Sequence, residues 1–101
     1  MSQDIKCSLY RGGTQIAQHL PFQKDNMSVQ EAAYHGGQAP YFRYWLYTLA
    51  AGVSFQQGDL LQDEANTDPT TGTLAKYRVI NDPESFPDGH WEIAADRMVG
   101  K

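Results

Sequence analysis

Apolar and polar residues alternate in short runs along most of this chain, and segments rich in Gly, Pro, Asp and Asn separate the runs. Ile5, Cys7 and Leu9 alternate with Lys6, Ser8 and Tyr10, the period of two that lets a strand bury one face. Gly12 and Gly13 end that run. A Gly-Gly step readily supplies the positive φ angles of a tight hairpin turn, so Thr14 to Ile16 is expected to pair back as a short arm. Farther on, Val53 and Phe55 lead into a turn at Gln57-Gly58 and a short strand through Leu60 and Leu61. Leu74 to Ile80 sets Tyr77 and Val79 against Lys76, Arg78 and Ile80. Trp91 to Met98 sets Trp91, Ile93 and Ala95 against Glu92, Ala94 and Asp96. Short alternating runs at this spacing predict a small antiparallel β-domain.

Two segments stand apart. Tyr41 to Leu49 is dense in aromatic residues that suit a pleated, half-covered surface, and it predicts a long or central strand. Phe42, Tyr44 and Leu46 would lie on one face and Tyr41, Trp45, Tyr47 and Leu49 on the other, so one apolar face should meet something besides the domain's own core. From His19 to Pro40 the alternation dissolves among polar and small residues, with Pro21, Gly36-Gly37 and Pro40 as breakers. This stretch is expected to be a long irregular loop inserted between strands. At most one short helix is expected, at Ser28 to Tyr34, where Ser28 and Glu31 have a capping-box spacing. A second loop, Glu64 to Gly72, carries Asn66, Asp68-Pro69 and Thr71-Gly72, all turn-forming types.

With 101 residues the chain is read as a single domain, 1–101, of the mostly β class. A domain this small gains much from self-association. The formal charge of −4 has the wrong sign for a surface that grips phosphates, and the eight cations are scattered. Cys7, the single cysteine, excludes an internal disulfide. No apolar run approaches the roughly 20 residues of a membrane-spanning helix, and the first residues lack the apolar core of a signal peptide, so the chain is expected to be intracellular when made, with no membrane partner.

The candidate chemistry is thin. Asp59, Asp63, Glu64, Asn66 and Asp68 offer oxygen ligands of the kind calcium takes, but the EF-hand spacing is not met, and a solvated acidic loop is expected. His19, His35 and His90 are far apart in sequence and have no zinc-type pairing. Neither glycine doublet sits between a strand and a helix as a phosphate loop would. His90 and Glu92 would share one face of a strand as a surface pair. No catalytic residue, metal ligand or cofactor is therefore assigned, and the chain is not expected to be an enzyme.

The order of elements from Arg43 onward carries a resemblance. Gly58-Asp59-Leu60-Leu61, then Thr71-Gly72 leading to Tyr77-Arg78-Val79, then Pro83-Glu84-Ser85-Phe86-Pro87 and Gly89-His90-Trp91-Glu92, is similar to the C-terminal half of the head-completion, or head-to-tail stopper, proteins of tailed bacteriophages. The resemblance implies a small antiparallel, SH3-like β-barrel. It implies a virion protein at the head-tail interface, present in the host cytoplasm during assembly. Such a protein forms a ring below the portal and adaptor, closes the DNA channel after packaging and provides the tail attachment platform. The chain would be a monomer when free and a homo-oligomeric ring in the connector, contacting portal or adaptor protein, tail proteins and passing DNA without sequence specificity. The expected subunit or partner interface is Tyr41, Arg43, Trp45, Tyr47, Phe86 and Trp91. The expected channel-gating loop contains Gln23, Lys24, Asp25, Asn26, Met27 and His35. The alternative is a small SH3-like or OB-like binding module of a bacterial complex, using the Tyr41 to Leu49 aromatics.

Overall fold

The computed structural model describes residues 2–26, 43–49, 52–69 and 72–98. They contain seven strands: β1 (Ser2–Arg11), β2 (Thr14–Asn26), β3 (Arg43–Thr48), β4 (Leu60–Thr67), β5 (Leu74–Val79), β6 (Glu84–Ser85) and β7 (Trp91–Arg97). Among the described residues there is no helix. Hydrogen-bonded neighbours follow the order β3-β2-β1-β4-β5-β7, and β7 pairs again with β3. All these pairings are antiparallel, so six strands close into a barrel of the expected class. The two-residue β6 pairs with β7 through Glu84–Glu92 and Ser85–Trp91. It continues the flank of β7 that β5 leaves at Val79–Ala95.

Alternation is what fills the barrel. Ile5, Cys7 and Leu9 of β1 point inward, as do Tyr44 and Leu46 of β3, Leu61 of β4, Tyr77 and Val79 of β5, and Ile93 and Ala95 of β7. Covering a side chain of leucine size contributes roughly 1.5–3 kcal/mol, and Leu9, Leu46, Leu61 and Ile93 are fully covered. Cys7 lies among them, and burial pushes its thiol far above the ordinary range, so it is a core residue and not a thiolate nucleophile. At the β1–β2 turn, Gly12 and Gly13 have φ of 61° and 82°, the two positive values of a two-residue hairpin.

Two loop expectations are overturned. The expected arm at Thr14 to Ile16 runs on as β2 to Asn26, so residues 19 to 26 are strand and not part of a long loop. Pro21 does not break it. Its carbonyl accepts a hydrogen bond from the Thr48 hydroxyl at 2.5 Å, so the missing N–H faces away from β1, where no ladder bond is lost. His19 sits at a register shift with φ of 59°, and beyond it Leu20 and Phe22 resume the inward alternation. Residues 27–40, including the expected helical turn, lie outside the described residues. β4 likewise continues to Thr67, past the expected loop start at Glu64, with its pairing to β5 interrupted between Gln62 and Thr67.

Candidate functional site: an outer groove and two histidine clamps

The acidic residues expected in a solvated loop are largely buried and engaged. Asp59 is 1% exposed. Its carboxylate receives Arg11 Nε and a second guanidinium nitrogen at 2.8 Å each, and the Gln56 amide at 2.9 Å. Gly58 precedes it with φ of 92°, which suits the third position of the Gln56–Asp59 turn. Asp63 is as deeply buried. Its Oδ1 accepts the amides of Ala65 and Asn66 at 2.9 and 3.0 Å, and its Oδ2 accepts Asn66 Nδ2 at 2.9 Å. These bonds replace the ladder where β4 parts from β5. Asp68, also buried, lies 3.3 Å from Arg97 Nε. Among the described residues no group of three His, Cys, Asp or Glu is placed to hold a metal ion.

A groove of about 930 Å³ crosses β1, β2, β3 and β4 and reaches His90. Pro21, Tyr47, Leu49 and Ala65 give it apolar surface, while Asp4, Lys6, Gln23 and Glu64 are polar members of the wall. Leu49 is 68% exposed. On this wall Glu64 Oε2 accepts the Ser8 hydroxyl at 2.9 Å and the His19 backbone amide at 2.8 Å, and Oε1 lies 2.8 Å from His19 Nδ1. The carboxylate therefore ties down the bulge that turns His19 out of the β1 ladder. These contacts hold Glu64 below the ordinary carboxylate range, the His19 amide contributing most. Ser8, Glu64 and His19 are residue types of a nucleophilic triad, but here the carboxylate lies between the hydroxyl and the imidazole. The imidazole is then not the base of the serine, which is the relation such catalysis needs.

The second histidine closes the hairpin between β6 and β7. Gly89 donates to the Phe86 carbonyl at 2.9 Å, Phe86 donates to the His90 carbonyl at 3.0 Å, and Pro87-Asp88 form the corner. His90 Nδ1 lies 2.6 Å from Asp88 Oδ1 and Nε2 lies 3.2 Å from Glu92 Oε2. Its ring stacks on Phe86, centroids 4.3 Å apart and planes 5° apart. Asp88, and secondarily Glu92, raise the imidazole above its ordinary pKa, and His90 holds Asp88 below its own. The i, i+2 pair expected from sequence is present, with Asp88 as an unanticipated third member.

The described members of the expected interface lie on β3, on the β6–β7 hairpin and on β7. Trp45 and Tyr47 point outward from β3 with rings stacked at 6.4 Å, and Trp45 packs with Ala94 and Ile80 on the outer face. Phe86 belongs to the hairpin tip. Trp91 is partly buried and packs on the core, edge to face with Phe55 at 5.2 Å. Arg43 begins β3 opposite Asp96, and Tyr41 lies outside the described residues. Of the expected gating residues, Gln23, Lys24, Asp25 and Asn26 are in β2, paired with β1 or β3, and Met27 and His35 lie outside the described residues. Lys24 shares the inward side of β2 with Leu20 and Phe22. It donates to Tyr77 Oη at 3.0 Å and lies 4.9 and 5.3 Å from the Tyr44 and Tyr77 ring centres. Burial draws its ammonium below the usual lysine value and pushes the Tyr77 phenol up.

Sequence reasoning missed the Arg11–Asp59 fork and the Ser8–Glu64–His19 knot. Each joins residues more than forty positions apart, so no local pattern announces it. Among the described residues no helix is long and apolar enough to cross a membrane. Comparison with protein families, curated proteins and solved structures gives no match.

Proposed function

We propose that this chain is a structural subunit of the head-tail connector of a tailed bacteriophage. In this reading it forms a ring below the portal and adaptor that closes the DNA channel after packaging and gives the tail its platform. The observation that carries it is the outer groove: a barrel that has closed on itself still presents apolar surface at Pro21, Tyr47 and Leu49 beside polar groups, the make-up of a protein docking surface. The order of turns and strands from Arg43 onward supports the same class, and the charge of −4 suits a conduit that lets DNA pass without gripping it. In a ring, one patch of each copy meets a different patch of the next.

The groove also favours a second reading, a small binding module that takes a peptide or ligand on a stable monomer. Electron microscopy of purified protein mixed with filled, tailless heads separates the two. The connector reading expects density at the portal vertex, and expects Leu49→Asp to abolish it while leaving the circular dichroism spectrum unchanged. An empty portal vertex with wild-type protein would overturn the reading.

A further inference from the structure

We propose that His90 is a pH-responsive clamp, which holds the tip of the β6–β7 hairpin when its imidazole is charged and loosens it when the imidazole is neutral. Both ring nitrogens face carboxylate oxygens, Asp88 Oδ1 at 2.6 Å and Glu92 Oε2 at 3.2 Å. An imidazolium donates from both nitrogens, whereas a neutral ring has one N–H and one lone pair. Only the charged form satisfies both contacts. In the neutral form one lone pair is set against a carboxylate oxygen, and one arm of the clamp is lost.

The surroundings enlarge the effect. Glu84 of β6 is the cross-strand partner of Glu92, so losing the imidazolium leaves Asp88, Glu92 and Glu84 as like charges around the hairpin. From β3, the residues opposite Glu92 and Trp91 are Tyr47 and Thr48, which bring no charge. Across the groove, Lys6 is a cation and Asp4 and Glu64 are carboxylates, with His19 already paired to Glu64. Phe86 offers its ring face to the imidazole, an arrangement that favours the cation. Asp88 also accepts the His90 backbone amide at 3.0 Å, so Asp88 remains tied when the ring is neutral and the Glu92 side is the arm that opens. Because His90 lines the groove, release of the tip alters one end of that surface. The inference goes beyond the connector reading and is independent of it.

The test is a ring-resonance titration of His90 in the full chain, with amide hydrogen exchange at Phe86, Gly89 and Glu92 on either side of its midpoint, corrected for intrinsic base catalysis. The midpoint is expected above the ordinary value of about 6.5, and protection of the tip amides should fall about threefold or more above it. Glu92→Gln should lower the midpoint and shrink the change in protection. His90→Gln should abolish that change, and His19→Gln should leave it in place. A midpoint at or below the ordinary value, protection that does not change across the titration, or a change that persists in His90→Gln would each overturn the clamp.

Discussion

Carboxylates do two kinds of work in this barrel, and the contrast lies in what surrounds them. Asp59 and Asp63 are buried, and their acceptors are filled by a guanidinium, backbone amides and a side-chain amide, donors that keep their protons at any pH a protein survives. Glu64, Asp88 and Glu92 lie at the groove and the hairpin tip, and each has a histidine for a partner. The first set fixes strand connections through donors that do not titrate. In the second set the bond from the His90 ring to Glu92 depends on the imidazole's second proton, whereas the backbone amides of His19 and His90 keep Glu64 and Asp88 tied in either state. The same functional group thus serves as a fixed strut inside and an adjustable one outside.

The contrast can be broken most forcefully at Asp59. Asp59→Ala strips the Arg11 guanidinium and the Gln56 amide of their carboxylate, leaving Arg11 its bond to the Ser54 carbonyl, and should cost about 3 kcal/mol in urea denaturation. A loss below about 1 kcal/mol would show that the fork is not structural. Next comes Asp63→Ala, expected to cost about 2 kcal/mol because two backbone amides lose their acceptor. Asp63→Asn should recover part of that loss, since the amide oxygen can still accept from Ala65 and Asn66. Tyr77→Phe removes the acceptor of Lys24 but keeps the ring beneath the ammonium, and should cost about 1 kcal/mol by the same measurement.

The smallest effects belong to the exposed set and are read from pH dependence. The pKa of His90 is raised in the folded chain, so its contribution is complete below the ordinary value of about 6.5 and is lost as pH rises through the folded value. The pKa of Asp88 is depressed, so its contribution is complete above about 3.9 and is lost as pH falls through its folded value. Urea midpoints measured against pH should therefore show a fall on the alkaline side that His90→Gln removes. If the variant and the wild type trace parallel curves there, the histidine is not the titrating partner.

Period-two alternation made the barrel class legible from residues alone. Ile5-Cys7-Leu9, Tyr77-Val79 and Ile93-Ala95 are inward sets readable directly from the sequence, and Gly12-Gly13 announced its hairpin. The failure at residues 19 to 26 has a physical origin. Pro21 looks like punctuation in one dimension, yet it spends its missing donor on the side away from β1, and the amide of the left-handed His19 is satisfied by a carboxylate from β4. The aspartates were misread for a related reason. A run of acids and turn formers is normally solvated, and what buries Asp59 and Asp63 is the meeting of β1, β4 and β5, which no local window contains. The groove was equally hidden, since its walls come from four strands spread over the chain. Trp45 and Tyr47 were legible as outward aromatics, whereas Trp91 went to the core because its strand phase aligns it with Ile93.

Strand β7 lies between β3 on one side and β5 and β6 on the other, so barrel closure waits for it. Its pairings with β3, from Arg43–Asp96 to Thr48–Trp91, join distant parts of the chain, and loop closure must precede any stabilisation they bring. Folding should accordingly fall in the slow, milliseconds-to-seconds class of domains dominated by non-local pairing. Until β7 docks, both β3 and β5 are open edges, and the aromatic β3 is the segment through which an unfinished barrel would pair with a neighbouring chain.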